Sequence, residues 1–235
     1  MEALERIVFL DTETTGLDAR FGHRIIEIAA VEALGRELTG RTIHFYLDPE
    51  REIDAGATAV HGFTWDDLRG KPKFSAVSTT LLHFLLDARV VIHNAPFDVS
   101  FIDQELARLR EPPIAKRPLT IVDSLAMAKE KFPGKRNSLD ALCSRLGVNN
   151  SHRNLHGALL DARLLAEVYF AMTRDQGVLQ MSPVGGIPSA EIDRPNIDEP
   201  IPPILHVVLE DESRANHFAV ATELATQSGI TRCWD

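Results

Sequence analysis

Three short segments rich in apolar and β-branched residues lie within the first 47 residues of the chain, and only short polar segments separate them. They cover residues 7–10, 25–31 and 42–47. Apolar runs and alternating patterns of this length predict strands, and short connections between strands favour antiparallel pairing. The chain is therefore expected to begin as a three-stranded antiparallel meander.

From residue 75 onward the sequence pattern alternates between helices and strands. Helices are predicted over residues 75–86, 98–110, 124–132, 138–146 and 158–172, and strands over residues 89–93 and 119–122. A meander followed by alternating helices and strands indicates a mixed sheet covered by helices. The predicted fold class is α/β.

A proline-rich stretch divides the chain. Six of the 13 prolines and a Gly-Gly pair fall between residues 182 and 203, where periodic apolar spacing is absent, and this composition indicates a linker. We expect residues 1–175 to form one domain, residues 176–203 the linker, and residues 204–235 a small C-terminal segment with the pattern of a strand followed by a helix. A segment of that length needs a partner, or must dock on the domain, to fold.

The chain is acidic. Its formal net charge of −9 at pH 7, from 34 acidic and 25 basic residues, argues against a broad basic surface for nucleic acid. The excess is uneven, since residues 189–235 carry nine acidic residues against three Arg. That leaves 25 acidic and 22 basic residues, net −3, in residues 1–188.

The cysteine count and the apolar runs bear on the cellular compartment. Cys143 and Cys233 lie far apart and share no metal-ligand spacing, so they indicate neither a disulfide framework nor a zinc site. The apolar run near the N-terminus is too short for a signal peptide, and no run approaches the length of a membrane span. We therefore expect a soluble cytoplasmic protein with no membrane association.

Two carboxylates follow the first predicted strand. Asp11 and Glu13 are two residues apart, so both lie on one face if the strand continues through them. Like charges held this close repel each other unless a cation lies between them. The alternative for such a pair is a polar strand end at a loop.

Two further carboxylates lie at helices. Asp98 follows a predicted buried strand and, taken alone, has the position of a helix N-cap. Asp161 has Leu164, Leu165 and Val168 on its own helix face, so it is predicted to pack against the sheet. Because an unpaired buried carboxylate costs several kcal/mol, Asp161 needs either a metal ion or an ion pair with a distant residue.

His156 precedes the helix that carries Asp161. Near a metal-bound water a neutral imidazole can act as general base, whereas a lone His is more often a surface or capping residue. An acidic, oxygen-rich set without Cys suits Mg²⁺ or Mn²⁺, and two such ions about 3.5–4 Å apart are typical of phosphodiester cleavage. Two divalent ions would bring the net charge of residues 1–188 from −3 to about +1.

Three motifs carry a family resemblance: Asp11-Thr-Glu-Thr-Thr-Gly16, His93-Asn-Ala-Pro-Phe-Asp98 and His156-Gly-Ala-Leu-Leu-Asp-Ala162. In order and spacing they resemble the motifs of the DEDD 3′→5′ exonucleases, His subclass. The resemblance implies a ribonuclease-H-like fold and two divalent cations, Mg²⁺ or Mn²⁺.

The same resemblance implies a role for each motif residue. Asp11, Glu13 and Asp161 would hold the ion that activates water, and Asp11 would bridge to a second ion. Asp98 would support that second ion, directly or through a water molecule. His156 would take the proton from the attacking water.

Within the family, residues 60–62, residues 132–142 and the layout of the tail are similar to proofreading exonuclease subunits of bacterial replicative DNA polymerases. This similarity implies hydrolysis at a DNA 3′ end with release of a nucleoside 5′-monophosphate. It also implies that residues 204–235 bind the polymerase (alpha) subunit. Such a tether would supply the local concentration that a weakly basic surface does not.

The resemblance also implies a set of substrate contacts, with His61 near the 3′-terminal nucleotide and Leu17 against the terminal base. The implied substrate-binding residues are Asp11, Glu13, Thr14, Leu17, His61, Asn94 and Asp161. Gly56 stands where related proteins can carry an acidic residue that reaches the sugar, so the resemblance does not imply that contact here. Lys129, Lys131, Lys135 and Arg136 form a basic cluster, either for phosphates or as a solvated surface.

Residues 176–181 resemble the Gln-x-x-Leu/Met-x-Phe motif that binds the sliding clamp, through Gln176, Leu179 and Met181, with Met in place of the aromatic residue. Two alternatives to a proofreading subunit stay open. One is an exonuclease that trims RNA with the same motifs, and the other is a non-catalytic adapter between polymerase and clamp.

Overall fold

A computed structural model describes residues 4–151 and 155–174, and within them five strands form one mixed sheet. The strands are β1 (Arg6–Thr14), β2 (Ile25–Leu34), β3 (Glu37–Tyr46), β4 (Arg89–Ile92) and β5 (Thr120–Asp123). The helices are α1 (Ala55–His61), α2 (Trp65–Leu68), α3 (Phe74–Leu85), α4 (Ala95–Arg108), α5 (Ser124–Lys131), α6 (Leu139–Leu146) and α7 (Ala158–Met172). Two single 3₁₀ turns cover Ala19–Phe21 and Ile114–Lys116.

The strand order is β3-β2-β1-β4-β5. Strands β1, β2 and β3 pair antiparallel, whereas β4 pairs parallel with both β1 and β5. The predicted meander and the predicted mixed sheet are therefore confirmed. Because β1 and β4 are parallel neighbours, their carboxyl ends meet at one edge of the sheet, where parallel-stranded α/β proteins generally bind ligands.

Alternating residues of β1 face two different apolar layers. Val8 and Leu10 pack in the layer that contains α3 and α4, while Ile7 and Phe9 pack in the layer that contains α6 and α7. Phe9 makes edge contacts with two rings of α7 at centroid distances of 5.5 and 5.4 Å. The period of two then places Asp11 and Glu13 on the side of the sheet that α7 covers.

The helix boundaries differ from the prediction at one functionally important point. Helix α4 begins at Ala95, because Asn94 adopts a left-handed conformation (φ 69°) as the N-cap and Pro96 lies in the first turn. Asp98 is therefore inside the first turn, and its interpretation as the N-cap is wrong. The short helices α1 and α2 had no counterpart in the predicted pattern.

The described helices are all too short or too polar to cross a membrane. The predicted linker and the C-terminal segment lie outside the described residues, as do Gln176, Leu179 and Met181.

Candidate active site

Strand β1 carries two of the predicted carboxylates. It continues through Thr14, so Asp11 and Glu13 share a face, and the alternative of a polar strand end at a loop is wrong. Glu13 is buried and Asp11 is half-buried. Their register partners on β2 are Ala29 and Glu27.

Helix α7 brings a third carboxylate to the same side of the sheet. Asp161 lies in its first turn and is 3% exposed, and its amide donates to the Gly157 carbonyl at 2.9 Å. Leu164 and Leu165 are buried on the same helix. The predicted burial of this helix face is thus confirmed, and the carboxylate is buried with it.

Glu13, His156 and Asp161 form a compact cluster. One ligand atom from each lies within 4.8 Å of the others. Nδ1 of His156 is 3.4 Å from Oδ2 of Asp161, and the imidazole is 45% exposed while the Asp161 side chain is 4% exposed. Two carboxylates and an imidazole from separate parts of the chain are thus close enough to share one cation.

Asp98 approaches this edge from α4. Its Oδ1 accepts hydrogen bonds from the amide and the hydroxyl of Thr12, at 3.1 and 2.7 Å, so it is attached to the β1 residue between the two strand carboxylates. Burial raises the pKa of Asp98 to about 7, against the opposing effect of the Thr12 hydrogen bonds. A nearby cation would favour the ionised form of this carboxyl.

A cavity of about 320 Å³ joins these groups at the carboxyl ends of β1 and β4. We call it the acidic cavity. Its lining residues are Asp11, Thr12, Glu13, His93, Asn94, Phe97, Asp98, Ser138, Leu139, Asp140, His156 and Asp161. The structure therefore brings all four predicted metal ligands, His156 and Asn94 to one cavity.

The donors of the acidic cavity suit hard divalent cations. They are carboxylate oxygens with the imidazoles of His93 and His156, and no cysteine lines this cavity in the described part of the chain. Carboxylate oxygen is the preferred ligand of Mg²⁺ and Mn²⁺ in proteins. These residues fit the two cations that the sequence implied.

A second cavity, of about 370 Å³, adjoins the first and shares Thr12, Glu13 and Phe97 with it. We call it the side cavity. Its other lining residues are Thr14, Gly16, Leu17, Asp54, Gly56, Ala57, Val60 and His61. The remaining predicted substrate residues, Thr14, Leu17 and His61, all lie here, and Leu17 is 86% exposed.

His61 has a defined protonation pattern. Its Nδ1 accepts a hydrogen bond from the Phe63 amide at 3.1 Å, which leaves the proton of the neutral ring on Nε2. Burial lowers the pKa of His61, with the Thr14 backbone opposing this shift. Among the described residues Nε2 has no hydrogen-bond partner of normal geometry, so a buried donor is available in the wall of the side cavity.

The two cavities also contain residues that were not predicted from the sequence to belong to a site. Phe97 lines both cavities. The start of α6 contributes Ser138, Leu139 and Asp140, while α1 and its N-cap contribute Val60 and Asp54. Ser138 is the N-cap of α6, and its hydroxyl accepts from the Ala141 amide. Its position at the cavity depends on how α6 packs, which local sequence does not specify.

Glycine is required at position 16 because the His23 ring packs close to it, and not because of its backbone angle. An added Cβ would lie 2.3 Å from the ring of His23, whereas nothing lies within 4 Å of a Cβ added to Gly56 in the same cavity.

We expect Gly16→Ala to lower the free energy of unfolding by about 1–3 kcal/mol, the usual cost of overpacking. Gly56→Ala is the matched control and should change it by less than about 0.5 kcal/mol. Urea denaturation of both variants measures the difference. Equal stabilities for the two would contradict the close packing of His23 on Gly16.

Comparison with known proteins adds to this geometry. Residues 8–169 match the family model described as Exonuclease (RNase_T). The chain is similar to the DNA polymerase III subunit epsilon of Rickettsia prowazekii (strain Madrid E), with 50% identity over 174 residues, 74% of this chain and 76% of the relative. It is equally similar to the subunit of that name from Escherichia coli (strain K12), with 50% identity over 179 residues and 74% of each chain covered.

A solved structure shares the fold. The zinc-bound complex of E. coli ExoI with single-stranded DNA matches with a TM-score of 0.66 at 18% identity, over 74% of this chain and 41% of that one. The chain thus spans less than half of that larger protein.

Proposed function

Since the chain belongs to the exonuclease family whose model it matches over residues 8–169, we propose that it is the 3′→5′ proofreading exonuclease of a bacterial DNA polymerase III. The observation that carries this proposal is the cluster of Glu13, His156 and Asp161 in the acidic cavity, with Glu13 also lining the adjoining side cavity. The similarity to two epsilon subunits at 50% identity supports DNA and a polymerase as partners.

The acidic cavity would hold two divalent cations, Mg²⁺ or Mn²⁺. Asp11, Glu13 and Asp161 are the proposed ligands of the first, and Asp11 with Asp98 those of the second. When bound, such ions lower the pKa of a water molecule and stabilise charge on the leaving oxygen. The protein fixes the geometry, because the Thr12 hydrogen bonds hold Asp98 to β1 and the packing of α7 holds Asp161.

The side cavity is the proposed site of the 3′-terminal nucleoside. Leu17 and Val60 offer apolar contacts to a base, and the Nε2–H of His61 offers a donor to an oxygen of the sugar or phosphate. A mispaired end unpairs at lower cost than a paired one, so it enters such a single-strand site more readily. Selectivity for mismatches then needs little direct reading of the base.

His156 is the proposed general base. Its exposed imidazole can reach a water molecule, while Asp161 lies 3.4 Å from Nδ1 and can stabilise the imidazolium that forms.

We expect His156→Gln to lower kcat for a single-stranded DNA oligonucleotide by about 10²–10⁴-fold with little change in KM, because loss of a general base affects the chemical step. His83→Gln, on α3 and outside both cavities, is the control and should behave as wild type. An unchanged kcat in His156→Gln would remove His156 from this role.

The contacts to other proteins are proposed from the sequence and the family. We assign binding of the polymerase (alpha) subunit to residues 204–235 and binding of the sliding clamp to Gln176, Leu179 and Met181. The tail would keep the exonuclease near the primer end and raise its effective concentration there.

A further inference from the structure

The connection between α5 and α6, residues 132–138, places positive charge beside the acidic cavity. Lys135 and Arg136 on this loop are exposed, and Ser138, two residues after Arg136, lines the cavity. Consecutive Cα atoms are about 3.8 Å apart, so the backbone of both basic residues lies within roughly 11 Å of the cavity wall.

Lys129 approaches the same place from α5. It is exposed in the last turn of α5, three residues before the loop begins. Among the described residues, Lys129, Lys135 and Arg136 form no ion pair. Lys131 differs from them, because its ammonium bonds the Met172 carbonyl at the end of α7. The four-residue basic cluster predicted from sequence thus divides into three free cations and one structural cation.

Contacts with Arg145 of α6 hold the loop that carries these charges in place. Arg145 on α6 donates to Oδ1 of Asn137 at 3.0 Å and to the Arg136 carbonyl at 2.7 Å, and its guanidinium lies over the Phe132 ring at 4.8 Å. Asn137 is buried and donates to the Phe132 carbonyl at 3.3 Å. With Asn137 turned inward, Arg136 is turned outward.

A positively charged loop beside a carboxylate-rich cavity can attract the phosphates of a strand that the cavity itself repels. The carboxylates repel a phosphodiester strand until cations are bound, and even then the net charge near the cavity stays close to neutral. Positive groups outside the cavity can bind the phosphates of the strand that leads into it without disturbing the reacting site.

We propose that Lys129, Lys135 and Arg136 form a phosphate track that binds single-stranded nucleic acid on the 5′ side of the reacting nucleotide, and that Arg145 is a positioning residue for this track. The proposal rests on the proposed exonuclease function. It adds a binding surface outside the two cavities and predicts that the track affects long substrates only.

The test compares two substrates for the full-length chain with Mn²⁺. One is a 12-nucleotide single-stranded DNA, and the other is a nitrophenyl ester of a nucleoside 5′-monophosphate, which is too small to reach the track. In the double variant Lys135→Ala, Arg136→Ala we expect KM for the oligonucleotide to rise at least tenfold at low salt, with kcat unchanged. The slope of log KM against log salt concentration should fall by about 1.4, because each lost phosphate contact on a single strand accounts for roughly 0.7. Turnover of the ester should stay at the wild-type value.

Two further variants make the test specific. The charge-matched control Lys71→Ala, Lys116→Ala removes two exposed lysines elsewhere and should leave KM and the salt slope unchanged. Arg145→Met should raise KM for the oligonucleotide without changing turnover of the ester, and it should add little to the Lys135→Ala, Arg136→Ala variant. Arg145→Lys should not restore KM, because one ammonium cannot make both hydrogen bonds and the ring contact.

Two results would overturn the track: wild-type KM and salt slope in the Lys135→Ala, Arg136→Ala variant, or an equal loss of activity on both substrates. Failure of the proposed function itself looks different, since the wild-type chain would then hydrolyse neither substrate. In that case, fluorescence anisotropy would still measure the affinity of the chain for a labelled 12-nucleotide DNA. The track predicts weaker binding by the double variant than by its charge-matched control.

Discussion

Asp161→Asn is expected to abolish cation-dependent exonuclease activity, with a loss on the order of 10³-fold or more, while the protein stays folded. Asp161 is buried on α7, and its carboxylate lies within 4.8 Å of ligand atoms of Glu13 and His156. The Asn side chain has nearly the same shape as Asp but lacks the charged oxygen proposed to bind a cation. Bound cations supply several kcal/mol of transition-state stabilisation, and each 1.36 kcal/mol corresponds to a factor of ten in rate.

The same substitution should not destabilise the cation-free protein. Two carboxylates held this close repel each other when both are ionised, so a neutral amide at position 161 relieves that repulsion. Urea denaturation in the presence of a chelator should give a free energy of unfolding equal to or above the wild-type value. Asp66→Asn, an exposed change on α2, is the control for activity. Full activity in Asp161→Asn would contradict the assignment of the acidic cavity.

Arg24→Met is expected to lower the free energy of unfolding by about 3–5 kcal/mol, the largest stability effect expected for a single substitution. Nε and Nη2 of Arg24 donate to the two carboxylate oxygens of Glu105 at 2.6 and 2.8 Å, and the side chains of Arg24 and Glu105 are 12% and 4% exposed. The Glu105 hydrogen bond raises the pKa of Arg24, so the guanidinium stays charged. Removing it leaves the Glu105 carboxylate buried without its partner.

This ion pair also positions the site. Arg24 precedes β2 and exchanges hydrogen bonds with Thr15 at the end of β1, while Glu105 lies on α4, the helix that carries Asp98. We therefore expect Arg24→Met to lower exonuclease activity as well as stability.

Two controls test whether the loss of stability in Arg24→Met comes from the burial of its ion pair with Glu105. Arg69→Ala breaks an exposed pair with Asp66 and should cost less than about 1 kcal/mol. The double replacement Arg24→Met, Glu105→Leu removes both charges and should recover part of the lost stability. Comparable losses for Arg69→Ala and Arg24→Met in urea denaturation would contradict the role of burial.

The parts of the fold that depend on local pattern could be predicted from the sequence. Short apolar segments with short connections predicted the meander, and apolar neighbours at helical spacing predicted the burial of Asp161. The period of two in β1 placed Asp11 and Glu13 on one face. In each case one physical rule acts on residues close together in the chain.

What could not be predicted depends on contacts between distant segments. The parallel pairing of β4 with β1 brings Asp98 to Thr12 across 86 residues, and no periodicity within either segment shows this contact. The start of α4 depends on the left-handed conformation of Asn94. The separation of Lys131 from the other basic residues depends on where α7 ends.

The structure shows where many of the acidic residues of the chain lie, and this changes what its negative net charge implies. Five of the acidic residues line one cavity, where two divalent cations would neutralise most of their charge, and the C-terminal 47 residues hold most of the rest of the imbalance. The negative net charge therefore does not exclude nucleic acid as a substrate. It favours nucleic-acid binding that depends on bound cations and on a few basic residues near the acidic cavity.

The most direct test of the proposed function is the degradation of a 5′-labelled DNA primer with a mispaired 3′ end on its template, with Mg²⁺ or Mn²⁺. We expect stepwise shortening from the 3′ end with release of nucleoside 5′-monophosphates, faster for the mispaired than for the paired primer, and none in the presence of a chelator. An RNA primer of the same sequence should be degraded more slowly. An intact primer, internal cleavage, or shortening that continues without divalent cations would contradict the proposed function.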